Sequence, residues 1–214
     1  MVPDPAPTLT TQDGVALEAR LHLPQAPHGG VVICHPHPLY GGDMENPVVV
    51  RVAEVFADLG LATLRFNFRG VGRSTGVHGN GVAEQVDAEA ALARLRSVIG
   101  DTRPLAVAGY SFGAAVVATV APRHAELAGV VLIAPPLARL DVGHFAGLNP
   151  LGSRLLIVAG GNDEICPAAA LTRLTETLPH ATVHVIDGAN HFFFGKLYPL
   201  GEAVAAWARA CLLA

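Results

Sequence analysis

The sequence predicts an α/β fold, with a mostly parallel central sheet and helices on both faces, as a single domain over residues 1–214. Short apolar runs rich in β-branched residues alternate with helical patterns along nearly the whole chain, and no linker divides it. Hydrophobic residues make up 51% of the 214 residues and charged residues only 15%, against a charged share of about 25% in typical domains. Such a composition suits strands that helices cover on both faces.

The strand candidates follow one another along the chain. Thr8 to Thr11 and Leu17 to Leu23 predict a leading antiparallel hairpin around Asp13-Gly14. We expect the later strands to be parallel and buried on both faces. These are the apolar runs Val31 to Cys34, Leu61 to Phe68, Leu105 to Ala108, Val130 to Ala134, Leu155 to Ala159 and Thr182 to Ile186.

Helix candidates lie between these strands. Asn46-Pro47 is typical of an N-cap followed by proline at the first helical position, and predicts a helix toward Leu59. A second helix ends at Gly100 and carries Glu84 and Asp87 early, where negative charge suits the helix dipole. Its apolar stripe is Val82, Val86, Leu92, Leu95 and Ile99. Further helices are predicted over Ala114 to Ala121, over Pro167 to Leu178, and along the face made by Leu200, Val204, Trp207 and Cys211.

Composition also argues against several classes of protein. The net charge is −4 and no basic block occurs, which disfavours nucleic-acid binding. The uncharged stretch from Pro104 to Pro122 approaches the length of a membrane span, but glycines and polar residues interrupt it, so we expect no span. The N-terminus lacks the apolar core of a signal peptide. Three widely spaced cysteines, Cys34, Cys166 and Cys211, are typical of free thiols in a reducing compartment, so we expect a cytoplasmic protein.

The sharpest chemical signal is the G-x-S-x-G segment from Gly109 to Gly113, which has a strand candidate before it and a helix candidate after it. This pattern is typical of a nucleophile elbow, and we call the segment the elbow. Glycines on either side of the serine remove Cβ atoms that would collide where strand and helix cross. The arrangement predicts that Ser111 is an exposed nucleophile at a helix N-terminus, where N–H groups and the helix dipole favour an oxyanion.

A serine nucleophile needs a base and an orienting acid, which follow it in the chain order serine, acid, histidine. Asp163 and His191 each come directly after a predicted strand, so both are expected at the carboxyl edge of the sheet, where open α/β sheets place their sites. His191 would take the serine proton and Asp163 would orient the imidazole. Glu164 and Asp187 are rival acids, although Asp187 lies close to His191 in sequence.

The loop from His35 to Gly42 follows the first parallel strand, where such enzymes place the second oxyanion donor. We predict that the N–H groups of Phe112 and His37 form the oxyanion hole, because Pro36 and Pro38 have no N–H; Leu39 and Tyr40 stay alternatives to His37. His35 and His37 are spaced like metal ligands on a strand, but no third ligand with matching spacing accompanies them, so no metal is predicted.

The segment from Phe66 to Gly76 contains three glycines, Gly70, Gly72 and Gly76, in a spacing one residue too long for a dinucleotide-binding loop. We interpret it as a packed turn below the site, in which Arg69 is a structural hydrogen-bond donor.

Through the loop His35 to Gly42, the turn Phe66 to Gly76, the elbow at Ser111 and the motifs at Asp163 and His191, the chain resembles the α/β-hydrolase superfamily over nearly its whole length. It looks most like small, lidless bacterial serine hydrolases. Asn67 departs from the aspartate that many members carry there. The resemblance implies an α/β-hydrolase fold with a minimal cap, since fewer than twenty residues separate Pro135 from Arg154, where larger members insert a helical cap.

From these residues we expect a serine hydrolase that cleaves carboxylic esters through an acyl-enzyme, without a metal or organic cofactor. The substrate is expected to be a small-molecule ester with a short or accessible acyl group, and a homo-oligomer stays open. Tyr40, Phe192, Phe193 and Phe194 are candidates to line an acyl pocket. The same three groups also hydrolyse thioesters, amides or peptides, and a non-catalytic binding scaffold is the remaining alternative.

Overall fold

An eight-stranded sheet forms the centre of the computed structural model, which describes residues 8–213. The strands are β1 (Thr8–Thr10), β2 (Ala16–His22), β3 (Gly30–Cys34), β4 (Ala62–Phe66), β5 (Leu105–Tyr110), β6 (Gly129–Ile133), β7 (Leu155–Gly160) and β8 (Thr182–Ile186). Their order in the sheet is β1-β2-β4-β3-β5-β6-β7-β8. The β1–β2 and β2–β4 pairs are antiparallel and all others are parallel, which confirms the predicted hairpin and sheet.

In the part of the chain that the structure describes, five α-helices cover the two faces of this sheet. They are α1 (Pro47–Asp58), α2 (Glu84–Ile99), α3 (Phe112–Val120), α4 (Ala168–Thr177) and α5 (Leu197–Cys211). Residues of α2, α3 and α4 pack into one hydrophobic core, and residues of α1 and α5 pack into a second core on the other face. We call these the α2/α3/α4 layer and the α1/α5 layer. The fold class predicted from the sequence is therefore confirmed.

The first two helices show how local sequence sets the elements. Asn46 is the N-cap of α1, where its side chain accepts a hydrogen bond from the N–H of Val48, as the Asn-Pro pair predicts. The stripe predicted for α2 is wrong at its start, because Val82 lies outside the helix and is exposed. Glu84 and Asp87 are fully buried, so their role goes beyond a favourable interaction with the helix dipole.

The expectation that all parallel strands are buried on both faces is wrong for β8. Within residues 8–213 this strand pairs only with β7, at one edge of the sheet, and Ile186 is its one buried residue. Every residue of β3, β5, β6 and β7 is buried. The sequence pattern of an edge strand can therefore resemble that of a central strand even where solvent replaces a covering helix.

Two further segments complete the fold: the long uncharged stretch and the short segment that follows β6. The uncharged stretch from Pro104 to Pro122 divides into β5 and α3, and no helix in the described part of the chain is long and apolar enough to cross a bilayer. In place of a helical cap, 3-10 turns over Val142–Arg154, kinked at Gly152, pack against α3 and α4. Phe145 and Leu148 anchor them in the core.

Candidate active site

A strained turn between β5 and α3 presents Ser111 at the carboxyl edge of the sheet. Its backbone has φ 52° and ψ −111°, a conformation that L-residues rarely adopt. Its N–H donates to the carbonyl of Ile133 at 2.8 Å, which ties the turn to β6. A Cβ on Gly109 would overlap the carbonyl of Gly113, and a Cβ on Gly113 would overlap that of Cys34. Both glycines are thus required by close backbone contacts.

Three side chains form a continuous hydrogen-bonded chain at this turn. Ser111 Oγ lies 2.9 Å from His191 Nε2, and His191 Nδ1 lies 2.8 Å from Asp163 Oδ2. The carboxylate fixes the tautomer, since Nδ1–H donates to it and Nε2 is left to accept the serine proton. Glu164 and Asp187, the rival acids, are both exposed, and neither bonds to His191 among the described residues.

The loops after β7 and β8 hold the acid and the histidine together. Asp163 Oδ1 accepts from the N–H groups of Ile165 and Cys166, each at 2.8 Å, and the Asp163 side chain is fully buried. The N–H of Asn162 donates to the carbonyl of Ala189, which joins the two loops. Two backbone N–H groups and the imidazole thus hold the carboxylate in a fixed orientation.

Tyr110 adds a link that the sequence did not reveal. It precedes Ser111 on β5, and its buried hydroxyl donates to the backbone carbonyl of His191 at 2.9 Å. Burial raises the pKa of this phenol above its usual value, so it stays protonated and keeps donating. The elbow and the histidine loop are thus connected twice, by the imidazole and by this hydroxyl.

The predicted oxyanion donors lie beside the serine. Among residues 8–213, the backbone N–H groups of Phe112 and His37 donate to no protein acceptor. The alternatives are occupied, because the N–H of Leu39 donates to His37 Nδ1 and that of Tyr40 donates to the His37 carbonyl. The ring of His37 also packs against that of Phe112, with a centroid distance of 4.8 Å. His37 is therefore the donor of this loop that remains free.

His35 anchors the same loop from beneath. It is fully buried; its Nδ1–H donates to the Pro36 carbonyl at 2.6 Å and its Nε2 accepts from the N–H of Phe68 at 3.0 Å. Burial lowers its pKa to about 4, so the ring is neutral near pH 7. With both ring nitrogens engaged, His35 is unsuited to metal binding. No group of three or more His, Cys, Asp or Glu within residues 8–213 could hold a metal ion.

A cavity of about 480 Å³ opens beside Ser111. Its walls come from the His37 loop, the start of α3, the segment before α2 and the loop after β6. The lining residues are His37, Tyr40, His78, Asn80, Gly81, Val82, Gln85, Ser111, Phe112, Ala115, Val116, Thr119, Pro136, Arg139, Leu140, His144 and Ile165. Sequence reasoning identified Tyr40 but missed the wall contributed by residues 78–85, since nothing local marks those residues as pocket-forming.

The three consecutive phenylalanines after His191 do not line this cavity. Phe193 is fully buried in the core of the α1/α5 layer, so its assignment to an acyl pocket is wrong. A backbone φ of 53° at Phe193 turns its neighbours outward, and Phe192 and Phe194 stack on each other at the surface with centroids 5.4 Å apart. Phe192 lies near the reactive centre only through an edge contact with His191.

Glu84 organises the missed wall. This carboxylate is fully buried, and its two oxygens accept from the N–H groups of Gly79, at 2.7 Å, and Gly81, at 2.8 Å. Nδ1 of His78 lies 2.8 Å from Glu84 Oε1, off the direction of a good hydrogen bond. The ring of His78 packs against those of His37 and Phe112. Glu84 thereby fixes a wall that contacts both predicted oxyanion residues.

The glycine-containing turn after β4 forms a polar network below the site. Arg69 donates to Asp87 through Nε and Nη2, at 2.9 and 2.7 Å, and to Asp13 through Nη1 and Nη2, at 2.9 and 3.2 Å. Arg69 is therefore a hydrogen-bond donor within the fold, as predicted. Asn67 accepts from the N–H of Met44 and donates to Glu18, a pairing that an aspartate could not complete.

Known proteins place this arrangement in a family. The family described as "Serine aminopeptidase, S33" matches residues 25–149. An α/β serine hydrolase homologue from Coxiella burnetii is 35% identical, with a TM-score of 0.85 over 96% of this chain and 97% of that one. A serine hydrolase without lid from Xanthomonas campestris is 33% identical, with a TM-score of 0.85 over 98% and 95%. An uncharacterized protein of Rickettsia prowazekii is 35% identical over 87% of this chain and 80% of its own.

Proposed function

The chain belongs to the α/β-hydrolase superfamily of serine hydrolases, and from that premise we propose that it cleaves carboxylic esters through an acyl-enzyme. One observation carries the proposal: the unbroken chain of hydrogen bonds from Ser111 through His191 to Asp163. A binding scaffold would have no use for a strained serine aligned with a histidine and a buried carboxylate.

The geometry supports a two-stage reaction. His191 Nε2 takes the proton from Ser111 Oγ as the oxygen attacks the ester carbonyl, and the imidazolium is stabilised by Asp163. The tetrahedral oxyanion receives hydrogen bonds from the free N–H groups of Phe112 and His37. His191 then protonates the departing alkoxide, which leaves an acyl group on the serine. In the second stage His191 deprotonates a water that attacks the acyl carbonyl, and the imidazolium then returns the proton to Ser111 Oγ as the acid is released.

The cavity supports substrates with short or accessible acyl groups. Its volume of about 480 Å³ is moderate for a small-molecule site. The 3-10 turns of Val142–Arg154 stand where a helical cap could enclose a long chain, and they pack down onto the fold instead. We therefore place the acyl group in a shallow site that solvent reaches.

The same groups could hydrolyse amides, but the cavity favours esters over aminopeptidase substrates. An aminopeptidase must hold the α-ammonium group of its substrate, for which a carboxylate is the natural partner. None of the described lining residues is Asp or Glu. Thioesters have no such requirement and stay an alternative for the same site.

For the compartment, we propose the cytoplasm. Cys34, Cys166 and Cys211 are free thiols, as a reducing environment would keep them. Burial raises the pKa of Cys166 to about 12, so it remains a thiol beside Asp163.

The test combines turnover with active-site labelling. The protein should hydrolyse p-nitrophenyl acetate and butyrate, and a fluorophosphonate probe should label Ser111. Ser111→Ala should lower kcat by at least about 10⁴-fold and abolish labelling. Ser153→Ala removes an exposed hydroxyl outside the cavity and is the matched control. Absence of both turnover and labelling in the wild-type protein would contradict the proposal.

The acid and the bond class need separate measurements. Asp163→Asn should lower kcat by about 10³–10⁴-fold, because the imidazole loses its tautomer control. If its rate stays near that of the wild type, another group must orient His191. Esters, thioesters and aminoacyl amides with the same acyl group should be compared by kcat/KM. A higher value for the amides would refute the ester assignment.

A further inference from the structure

One cation on the cavity wall has no role in the hydrolysis described above. Arg139 lies on the loop after β6 and lines the same cavity as Ser111. Its side chain is exposed and makes no hydrogen bond or ion pair with any residue from 8 to 213. An arginine without an acidic partner, facing a substrate cavity, is free to bind an anion.

The backbone holds Arg139 at a defined place. Its N–H donates to the carbonyl of Pro136 at 2.9 Å, which closes a tight turn. The N–H of Ala138 donates to the carbonyl of Ile165 at 2.9 Å, which fixes this turn to the loop that carries Asp163. The backbone of Arg139 is therefore fixed relative to the loop that carries Asp163, and its side chain lines the cavity from that point.

No Asp or Glu lies among the described residues that line the cavity, so no carboxylate on the wall competes with a bound anion for Arg139. The buried acids Asp163 and Glu84 already have partners: Asp163 accepts from two backbone N–H groups and from His191, and Glu84 accepts from the N–H groups of Gly79 and Gly81. The other titratable groups on the wall are Tyr40 and the histidines His37, His78 and His144. Arg139 is thus the only lysine or arginine among the described residues that line the cavity.

The apolar part of the wall strengthens this preference. Val116, Leu140 and Ile165 line the cavity together with Arg139. These apolar side chains can pack against the hydrocarbon part of an ester while its carboxylate reaches the exposed guanidinium. The planar guanidinium also matches both oxygens of a carboxylate.

From these observations we propose that the enzyme selects esters whose cavity-bound portion carries a carboxylate, and that the guanidinium of Arg139 binds this carboxylate. The inference rests on the proposed esterase activity and names its substrate class. It assigns Arg139 to specificity, so the cleavage of neutral esters should not depend on it.

The test compares esters of equal length that differ in terminal charge. The acyl series consists of the p-nitrophenyl esters of hexanoic acid, of adipic acid as its half-ester, and of 5-(trimethylammonio)pentanoic acid. A second series carries the charge on the alcohol portion: 4-ethylphenyl and 4-(carboxymethyl)phenyl hexanoate. In one of the two series, the wild-type enzyme should have a higher kcat/KM for the carboxylate than for the neutral ester.

Arg139 variants connect that preference to the residue. Arg139→Gln should lower kcat/KM for the preferred anionic ester by about fivefold, while the value for neutral hexanoate changes by less than about twofold. Arg139→Lys should retain part of the preference, because it keeps the charge but loses the planar fork. Arg173→Gln, which removes an exposed arginine on α4 outside the cavity, is the matched control and should behave as wild type. Added salt should weaken the preference in wild type and not in Arg139→Gln.

Two results would overturn the proposal: equal kcat/KM for anionic and neutral esters in both series, or an anion preference that survives Arg139→Gln. Both are distinct from failure of the esterase assignment, since neutral hexanoate would still be cleaved. Absence of turnover with every ester would contradict both proposals together.

Discussion

The buried histidine beneath the oxyanion loop should make the stability of this protein depend on pH. His35 is neutral in the folded state, with a pKa lowered to about 4 from the ordinary 6.5. Unfolding returns it to water, where it binds a proton below about pH 6.5. The stabilisation from the neutral ring is therefore fully present above about pH 6.5. It is lost as the pH falls from 6.5 to 4, and the loss is complete below about pH 4.

The size of the effect follows from the two pKa values. At pH 5, an imidazole that titrates near 6.5 when unfolded and near 4 when folded lowers the free energy of unfolding by about 2 kcal/mol relative to pH 8. With an m-value of about 2–3 kcal/mol/M, the midpoint of urea unfolding should fall by about 0.7–1 M from this group.

A double comparison isolates His35 from every other titrating group. His35→Gln keeps an acceptor for the Phe68 N–H but cannot titrate, so the difference in unfolding free energy between wild type and variant should shrink by about 2 kcal/mol from pH 8 to pH 5. His180→Gln removes an exposed imidazole, and its pH profile should follow that of the wild type. A wild-type-to-His35→Gln difference that is constant from pH 8 to pH 5 would refute the assignment of a buried neutral ring.

Three further substitutions test the framework of the site. Tyr110→Phe removes the hydroxyl that bonds to the His191 carbonyl; kcat should fall about 5–10-fold with about 1 kcal/mol lost in urea unfolding, and an unchanged kcat would remove its positioning role. Gly113→Ala places a Cβ against the carbonyl of Cys34, so the melting temperature and activity should fall together, whereas a variant of normal stability and rate would contradict the close contact. Glu84→Gln sets an amide NH₂ against a backbone N–H; we expect about 2 kcal/mol of destabilisation and a raised KM, while wild-type KM and stability would show that the carboxylate does not hold this wall.

The order of elements could be predicted because it is written in local patterns. Asn46-Pro47 specifies the start of α1, and Gly109 to Gly113 specifies a turn that other backbones would exclude by collision. Asp163 and His191 could be placed on one edge because each follows a parallel strand, and such strands end on the same side.

What the sequence did not reveal depends on contacts between distant segments. Glu84 resembles an ordinary acid in the first turn of a helix, yet it is buried because the glycine loop before it supplies two N–H donors. Phe193 is indistinguishable in sequence from Phe192, and only the turn after His191 decides which of them enters the core. Periodicity cannot carry this information, because both cases depend on single backbone dihedrals and long-range partners.

The Asp163–His191 pair joins two loops that lead to helices on opposite faces of the sheet. Asp163 leads into α4, which belongs to the α2/α3/α4 layer, and His191 leads into α5, which belongs to the α1/α5 layer. The single tryptophan, Trp207, lies in the α1/α5 layer, so its fluorescence monitors that half of the molecule. Activity instead reports on both layers during refolding. It returns only when the α2/α3/α4 layer has positioned Asp163 and the α1/α5 layer has positioned His191.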